Sequence, residues 1–269
     1  MKKVLALLFA VSFFAGSAFA AGGGEIVIKG GLGAFAGTTN PKAEVDGSYA
    51  ENGLGVNIEA GKILDPFLKG EKGGKSLMLG AEYLYPINET FKIGAGMQYV
   101  SVSDARIALD LSALTGLMGM GDVKLSFRNN PTSLPLYATA QFNPAKEGAL
   151  KGAFFKANLG YQVYYDNDFD LTEIGPLLNS ILGMFSTDDI EFKVDRECSG
   201  GLYYGLGTGY EFDSGIILEV GYESFSGSVK HDISIYVDDG IDITTVKGSI
   251  ETKTSYYHIG FKIGYRIAL

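Results

Sequence analysis

Tyr257-His258-Ile259-Gly260-Phe261-Lys262-Ile263-Gly264-Tyr265-Arg266-Ile267-Ala268-Leu269 alternates without interruption. Tyr257, Ile259, Phe261, Ile263, Tyr265, Ile267 and Leu269 are large and apolar, and the residues between them are polar or small. Side chains of a strand point to opposite faces with period two, so this segment has one greasy face and one wet face. Such a strand closing a chain that opens on an export signal points to the last stave of a membrane β-barrel.

The export signal is read at residues 1–20. Lys2 and Lys3 form a positive n-region, Val4 to Ala10 with Phe13 and Phe14 form the apolar core, and Ala18-Phe19-Ala20 is a small-x-small cleavage site. The expected division is therefore a signal peptide, 1–20, and an outer-membrane β-barrel, 21–269. The stretch is too short and too broken by Gly16 and Ser17 for a membrane anchor. No later apolar run is long enough for a spanning helix, so the strands must cross the membrane if anything does.

Composition narrows the partners. Of 22 Lys and Arg, two leave with the leader, while all 31 Asp and Glu remain. Nucleic acid is excluded as a partner because phosphate binding needs a basic stripe. The chain has 38 Gly, 16 Tyr and 17 Phe, with no Trp. Glycine weakens an ordinary strand, but it relieves crowding on the inner face of a tight barrel. Tyr and Phe suit the two interfaces of a bilayer. The single cysteine, Cys198, cannot form an internal disulfide, and its charged surroundings read as a loop.

Alternating segments recur at 25–36, 53–63, 76–86, 91–103, 132–143, 153–165, 200–212 and 216–225, ahead of the closing strand. Connections near 86–90, 143–152 and 213–215 are short, and those near 104–131, 166–199 and 226–253 are long. Outer-membrane barrels have short periplasmic turns and long outer loops. Counting back from Leu269 leaves room for one strand ahead of 76–86. Both 25–36 and 53–63 qualify. The choice of 25–36, next to the processed N-terminus, places 53–63 in a hairpin above the membrane. The expected fold is all-β, an eight-stranded antiparallel up-and-down transmembrane β-barrel with long outer loops.

The last outer connection reads as a hairpin, with 216–237 and 241–269 as its arms around Asp238-Asp239-Gly240. Two other outer loops carry apolar residues at helical spacing: Leu109, Leu111, Leu114, Leu117 and Met118, then Leu171, Ile174, Leu177, Leu178, Ile181, Leu182 and Phe185. They read as short helices that cap the barrel mouth, or as a hydrophobic ligand surface.

An eight-stranded barrel has an interior just wide enough for side chains to fill. Alternation assigns Lys29, Glu82, Lys92, Lys156, Glu211, Glu219, Glu223, His258, Lys262 and Arg266 to that interior. Both signs are present, so the expectation is a lumen charge network that plugs the barrel; a gapped network would make a gated channel. His231 beside Asp232 is an isolated pair, and no nucleophile, metal-ligand or phosphate-loop pattern accompanies it. No catalytic, cofactor-binding or metal residue is assigned, and no cofactor is expected.

Gly80-Ala81-Glu82-Tyr83-Leu84-Tyr85-Pro86 with Phe91-Lys92-Ile93-Gly94-Ala95-Gly96, then Leu134-Pro135-Leu136-Tyr137-Ala138-Thr139-Ala140-Gln141-Phe142 and the closing strand, resemble small bacterial outer-membrane barrel proteins of the OmpA/OmpX/OmpW type. The resemblance covers the whole mature chain. It implies location in the outer membrane of a Gram-negative-type cell envelope. The implied partners are outer-membrane lipid and, through the closing strand, the barrel-assembly machinery. The family ranges over envelope-stabilising proteins, adhesins, narrow pores and routes for hydrophobic molecules. Its closing strand usually ends in an aromatic residue, where this chain has Leu269, and the expectation here is a barrel without a peptidoglycan-binding domain after it. The function expected is structural and surface-interacting, non-enzymatic, with a surface ligand for the outer loops; the alternative is porin-like passive transport of small hydrophobic solutes.

Overall fold

The computed structural model describes residues 23–51, 54–61, 68–70, 74–104, 106–110, 112, 124–169, 190–238 and 243–269. The expected signal peptide lies outside them, as do residues 113–118 and 170–185 with their apolar clusters. Eight long strands build the barrel wall: β1 (Glu25–Glu51), β4 (Lys75–Pro86), β5 (Phe91–Ser103), β7 (Lys124–Phe142), β8 (Ala153–Phe169), β10 (Leu202–Glu211), β11 (Ile216–Asp238) and β12 (Ile243–Ala268). Each pairs antiparallel with the next, and β12 pairs back onto β1, from Glu25 opposite Ala268 to Ala50 opposite Thr245. The sheet is therefore closed, with no free edge in the wall.

Gly24 and Leu269 lie at one mouth, where Leu269 N–H donates to the Gly24 carbonyl at 3.0 Å. The short turns share that mouth. Asn88 holds the first one, its Oδ1 accepting from the backbone of Thr90 at 2.9 Å and Phe91 at 2.8 Å. In the last one Gly215 sits at φ +85, a conformation that L side chains rarely adopt.

The outer wall is apolar. Phe261 and Ile263 are 46% and 54% exposed, and Leu32, Leu79, Leu159, Leu206 and Val220 are likewise bare. A surface of this kind faces lipid, since soluble monomers rarely expose so large an apolar area. Aromatic residues mark its two rims. Tyr204, Tyr222 and Tyr257 form a row with ring centroids 6.3 and 6.2 Å apart. Tyr210 packs on Phe212 at 4.9 Å near the other mouth, at the level of Tyr265. Eight residues separate Tyr257 from Tyr265, about 27 Å of strand, or roughly 20 Å along the membrane normal at a barrel's usual tilt.

Beyond Tyr257 the polarity reverses while the strands continue. β2 (Leu54–Gly61) pairs with the far half of β1, and β9 (Ile190–Ser199) with the far half of β11, making a five-stranded sheet β2-β1-β12-β11-β9 above the belt. One register row is Val56, Tyr49, Val246, Ile235 and Phe192, and the row beside it is Asn57, Ser48, Lys247, Ser234 and Lys193. The apolar rows keep the parity of the lumen positions Glu219 and Glu223. A second small sheet repeats the scheme: β3 (Leu68–Gly70) and β6 (Arg106–Asp110) pair onto the start of β7, with Leu68, Leu109 and Leu125 in one row and Lys69, Ala108 and Ser126 in the next. In water the inward parity must be apolar and the outward parity polar, the opposite of the arrangement in lipid.

Segment 25–36 lies in the barrel wall and Leu54–Gly61 in the sheet above it. The two arms of the last outer connection pair as far as Asp238 opposite Ile243, and the expected turn at Asp239-Gly240 lies outside the described residues. Two expectations are corrected. Leu109 is in strand β6 rather than a helix, because Ile107 and Leu109 alternate in register with Phe127 and Leu125. Cys198 is in strand β9 opposite Val229, not in a loop, because β9 follows β11 outward.

A charge placed on the belt tests the assignment. Phe261→Arg should lower stability by about 2–4 kcal/mol, and Tyr265→Arg at the rim by no more than about 1 kcal/mol, as measured by urea unfolding in phospholipid vesicles. Equal costs at the two positions would contradict a bilayer around this wall.

Candidate functional site: the lumen charge network

The lumen is built by an opposition of long and absent side chains. Across the ladder, Lys29 lies opposite Gly264 and Gly80, Lys262 opposite Gly31, Glu82 opposite Gly96, Lys156 opposite Gly207, Glu219 opposite Gly209 and Glu223 opposite Gly205. The glycines make room. A Cβ added at Gly96 would stand 2.7 Å from Glu82 Cγ and 2.8 Å from the Tyr137 ring, and one at Gly264 would stand 2.9 Å from Lys29 Cγ. Where two long inward side chains do lie opposite each other, as Lys262 and Glu219 or His258 and Glu223 do, the two are in polar contact.

The central network joins neighbouring strands and also strands that are not neighbours. Lys29 Nζ donates to Glu219 Oε2 at 2.6 Å and meets Glu82 Oε2 at 2.8 Å. Lys156 Nζ, from the far wall, donates to Glu82 Oε2 at 2.6 Å and to Glu219 Oε2 at 3.4 Å. Tyr137 O–H donates to Glu82 Oε1 at 2.9 Å. Lys262 Nζ pairs with Glu223 Oε1 and donates to Gln98 Oε1 at 2.9 Å, while Gln98 Nε2 donates to Glu223 Oε2 at 2.7 Å. His258 Nε2 lies 3.0 Å from Glu223 Oε2 and 3.1 Å from Met78 Sδ. Three ammonium groups thus face three carboxylates, all buried. Balance matters here, because a buried charge without a partner is far costlier than a pair.

A second ring lies nearer the mouth that holds the chain ends. Lys92 Nζ is 2.6 Å from Glu25 Oε2 and 3.6 Å from Glu211 Oε2. Arg266 pairs with Glu211 and lies 3.5 Å from Glu25 Oε1. Two cations again meet two anions.

The structure thus places Lys29, Glu82, Lys156, Glu219, Glu223, His258 and Lys262 in one cluster and Lys92, Glu211 and Arg266 in another. Sequence reading passed over Glu25, although it shares the parity of Lys29. It also passed over Gln98 and Tyr137, uncharged residues on inward positions that complete the bonding of Glu223 and Glu82. Among the described residues no group of His, Cys, Asp and Glu could hold a metal ion. Asp232 pairs with Lys230 at 3.1 Å, and the His231 side chain lies outside the described residues. Cys198 Sγ is 4.0 Å from Asp166 Oδ1.

No protein-family model and no curated relative matches the sequence. Among solved structures, the chain is similar to the outer membrane protein OprG from Pseudomonas aeruginosa at 18% identity and TM-score 0.43, over 91% of this chain and 97% of that one. It is also similar to Ail, the attachment invasion locus protein of Yersinia pestis, at 14% identity and TM-score 0.34, over 91% and 99%. The outer membrane protease OmpT from Escherichia coli gives 10% identity and TM-score 0.42, over 90% and 97%.

Charge balance in the central cluster has a measurable consequence. Lys156→Met leaves a carboxylate in excess and should cost about 3–5 kcal/mol. Lys156→Met with Glu82→Leu restores equal numbers and should recover most of that loss, read from urea midpoints in vesicles. A double variant no more stable than the single one would show that the pairing does not matter.

Closed wall, lipid-facing belt and charge-paired lumen together define the chain as an eight-stranded antiparallel transmembrane β-barrel.

Proposed function

We propose that this protein acts in the outer membrane as a non-conducting barrel that carries a structured β ectodomain for contact with the outside, without enzymatic activity. The observation that supports this reading most directly is that buried side chains of the wall span the bore, ion pairs in its middle and apolar layers above and below them. Lys29, Lys156 and Lys262 reach carboxylates on other strands, so the interior is occupied by the wall's own side chains. The remaining part for interaction is the sheet above the belt, formed by β2, β1, β12, β11 and β9. On this reading the chain ends and the short turns face the periplasm, and an export signal at 1–20 delivers the chain there.

Passive transport of small hydrophobic solutes is the second reading. The apolar register rows above the lumen, such as Val56 to Phe192, favour it, because they would offer such a solute a place outside the bilayer.

Two measurements test the first reading. In planar bilayers the purified protein should give no stable conductance, and a steady open level would refute a sealed barrel. In a Cys198→Ser background, Lys253→Cys should react on intact cells with a membrane-impermeant maleimide, and Glu147→Cys in the turn between β7 and β8 should not. The reverse pattern would place the extended sheet in the periplasm. Uptake of an apolar solute that depends on the ectodomain would favour the second reading.

A further inference from the structure

Two apolar layers lie above and below the central charges. The lower one is formed by Val27, Leu84, Phe154 and Ile217, from β1, β4, β8 and β11, all nearly fully buried and packed together. Glycines complete it on two further strands. A Cβ at Gly209 of β10 would strike the Phe154 ring, and one at Gly264 of β12 would touch Val27 Cγ1 at 3.5 Å. The upper layer joins Met78, Val100, Val102, Tyr137, Tyr203, Phe225, Val229 and Tyr256 from six of the eight strands. Phe225 stacks on Tyr256 at 5.5 Å, and Tyr137 meets Tyr203 at 5.2 Å.

Solvent exposure changes across the lower layer. Outside it the side chains of Lys92, Glu25, Glu211 and Arg266 are 10–28% exposed. Inside it those of Lys29, Glu82, Lys156, Glu219, Lys262 and Glu223 are 2–5% exposed. The two groups are separated by one inward position along β1, where Val27 stands between Glu25 and Lys29. Solvent exposure therefore falls across a layer whose apolar members are these four side chains. Polar groups bind water, whereas a narrow apolar constriction sheds it.

We infer that the barrel is closed by these two apolar seals in series, and that the ion-paired cell between them is not itself a barrier. The inference builds on the non-conducting barrel proposed above and assigns that property to particular residues. Its physical content is that ion pairs can exchange partners and admit water, while a dewetted ring blocks ions with no charge at all. The dry layers also keep the effective dielectric low around the central pairs, which strengthens them.

The test is single-channel recording on four variants, each first shown to be folded by its shift between unboiled and boiled gels. Leu84→Ala with Phe154→Ala thins the lower seal, and Tyr203→Ala with Phe225→Ala thins the upper one. Each pair alone should remain as silent as the wild type, and the four substitutions together should give a stable conductance. Lys156→Met with Glu82→Leu should remain silent. If the quadruple variant does not fold, Phe154→Ala with Phe225→Ala takes its place. Silence of the folded combined variant would overturn the inference, as would conductance from either seal pair alone or from the charge variant. Conductance of the wild type would count against the sealed barrel itself.

Discussion

Everything in this barrel follows from the absence of water in a bilayer. An exposed backbone N–H or C=O in lipid costs several kcal/mol, so a sheet can cross only if it closes. The seam between β1 and β12 meets that demand. Closure then fixes the bore, and with eight strands the bore is narrow enough that inward residues must be chosen against one another. Lysines and glutamates opposite glycines are the answer found here. The abundance of glycine, which would weaken an ordinary sheet, is a packing requirement of this lumen.

Burying charges raises a second demand, which is met by number and by geometry. Three cations meet three anions in the central cell and two meet two in the ring below. Many of the bonds cross the bore, so they exist only when distant strands are already in place. Lys29 and Glu219 are 190 residues apart, and Lys156 and Glu82 are 74 apart. The interior therefore ties the barrel across its diameter as well as around its circumference. Apolar layers above and below isolate those bonds from water.

The same strands obey opposite rules on the two sides of the row Tyr204, Tyr222 and Tyr257. Within the belt, β11 presents Leu218, Val220 and Tyr222 outward and Glu219 and Glu223 inward. Farther out, Ile233 and Ile235 hold the inward parity, while Asp232 and Ser234 hold the outward one. A single strand thus serves two solvents.

Much of the architecture was legible in the sequence because parity is a local property. Thirteen residues from Tyr257 to Leu269 were enough to assign faces, and the rhythm of short and long connections gave the strand count. The inward positions of Lys29, Glu82, Lys262 and their counterparts followed from the same alternation. Leu109 was misread because a few leucines fit a helix and a strand equally well, and only pairing with Leu125 decides between them. Which charge meets which was not legible at all. Partner choice depends on how far each strand is shifted along its neighbour and on distances across the bore, and neither is encoded in any one segment. The two apolar layers have the same origin. Val27, Leu84, Phe154 and Ile217 are scattered over the sequence, and they become one packed layer only because the closed barrel brings them together.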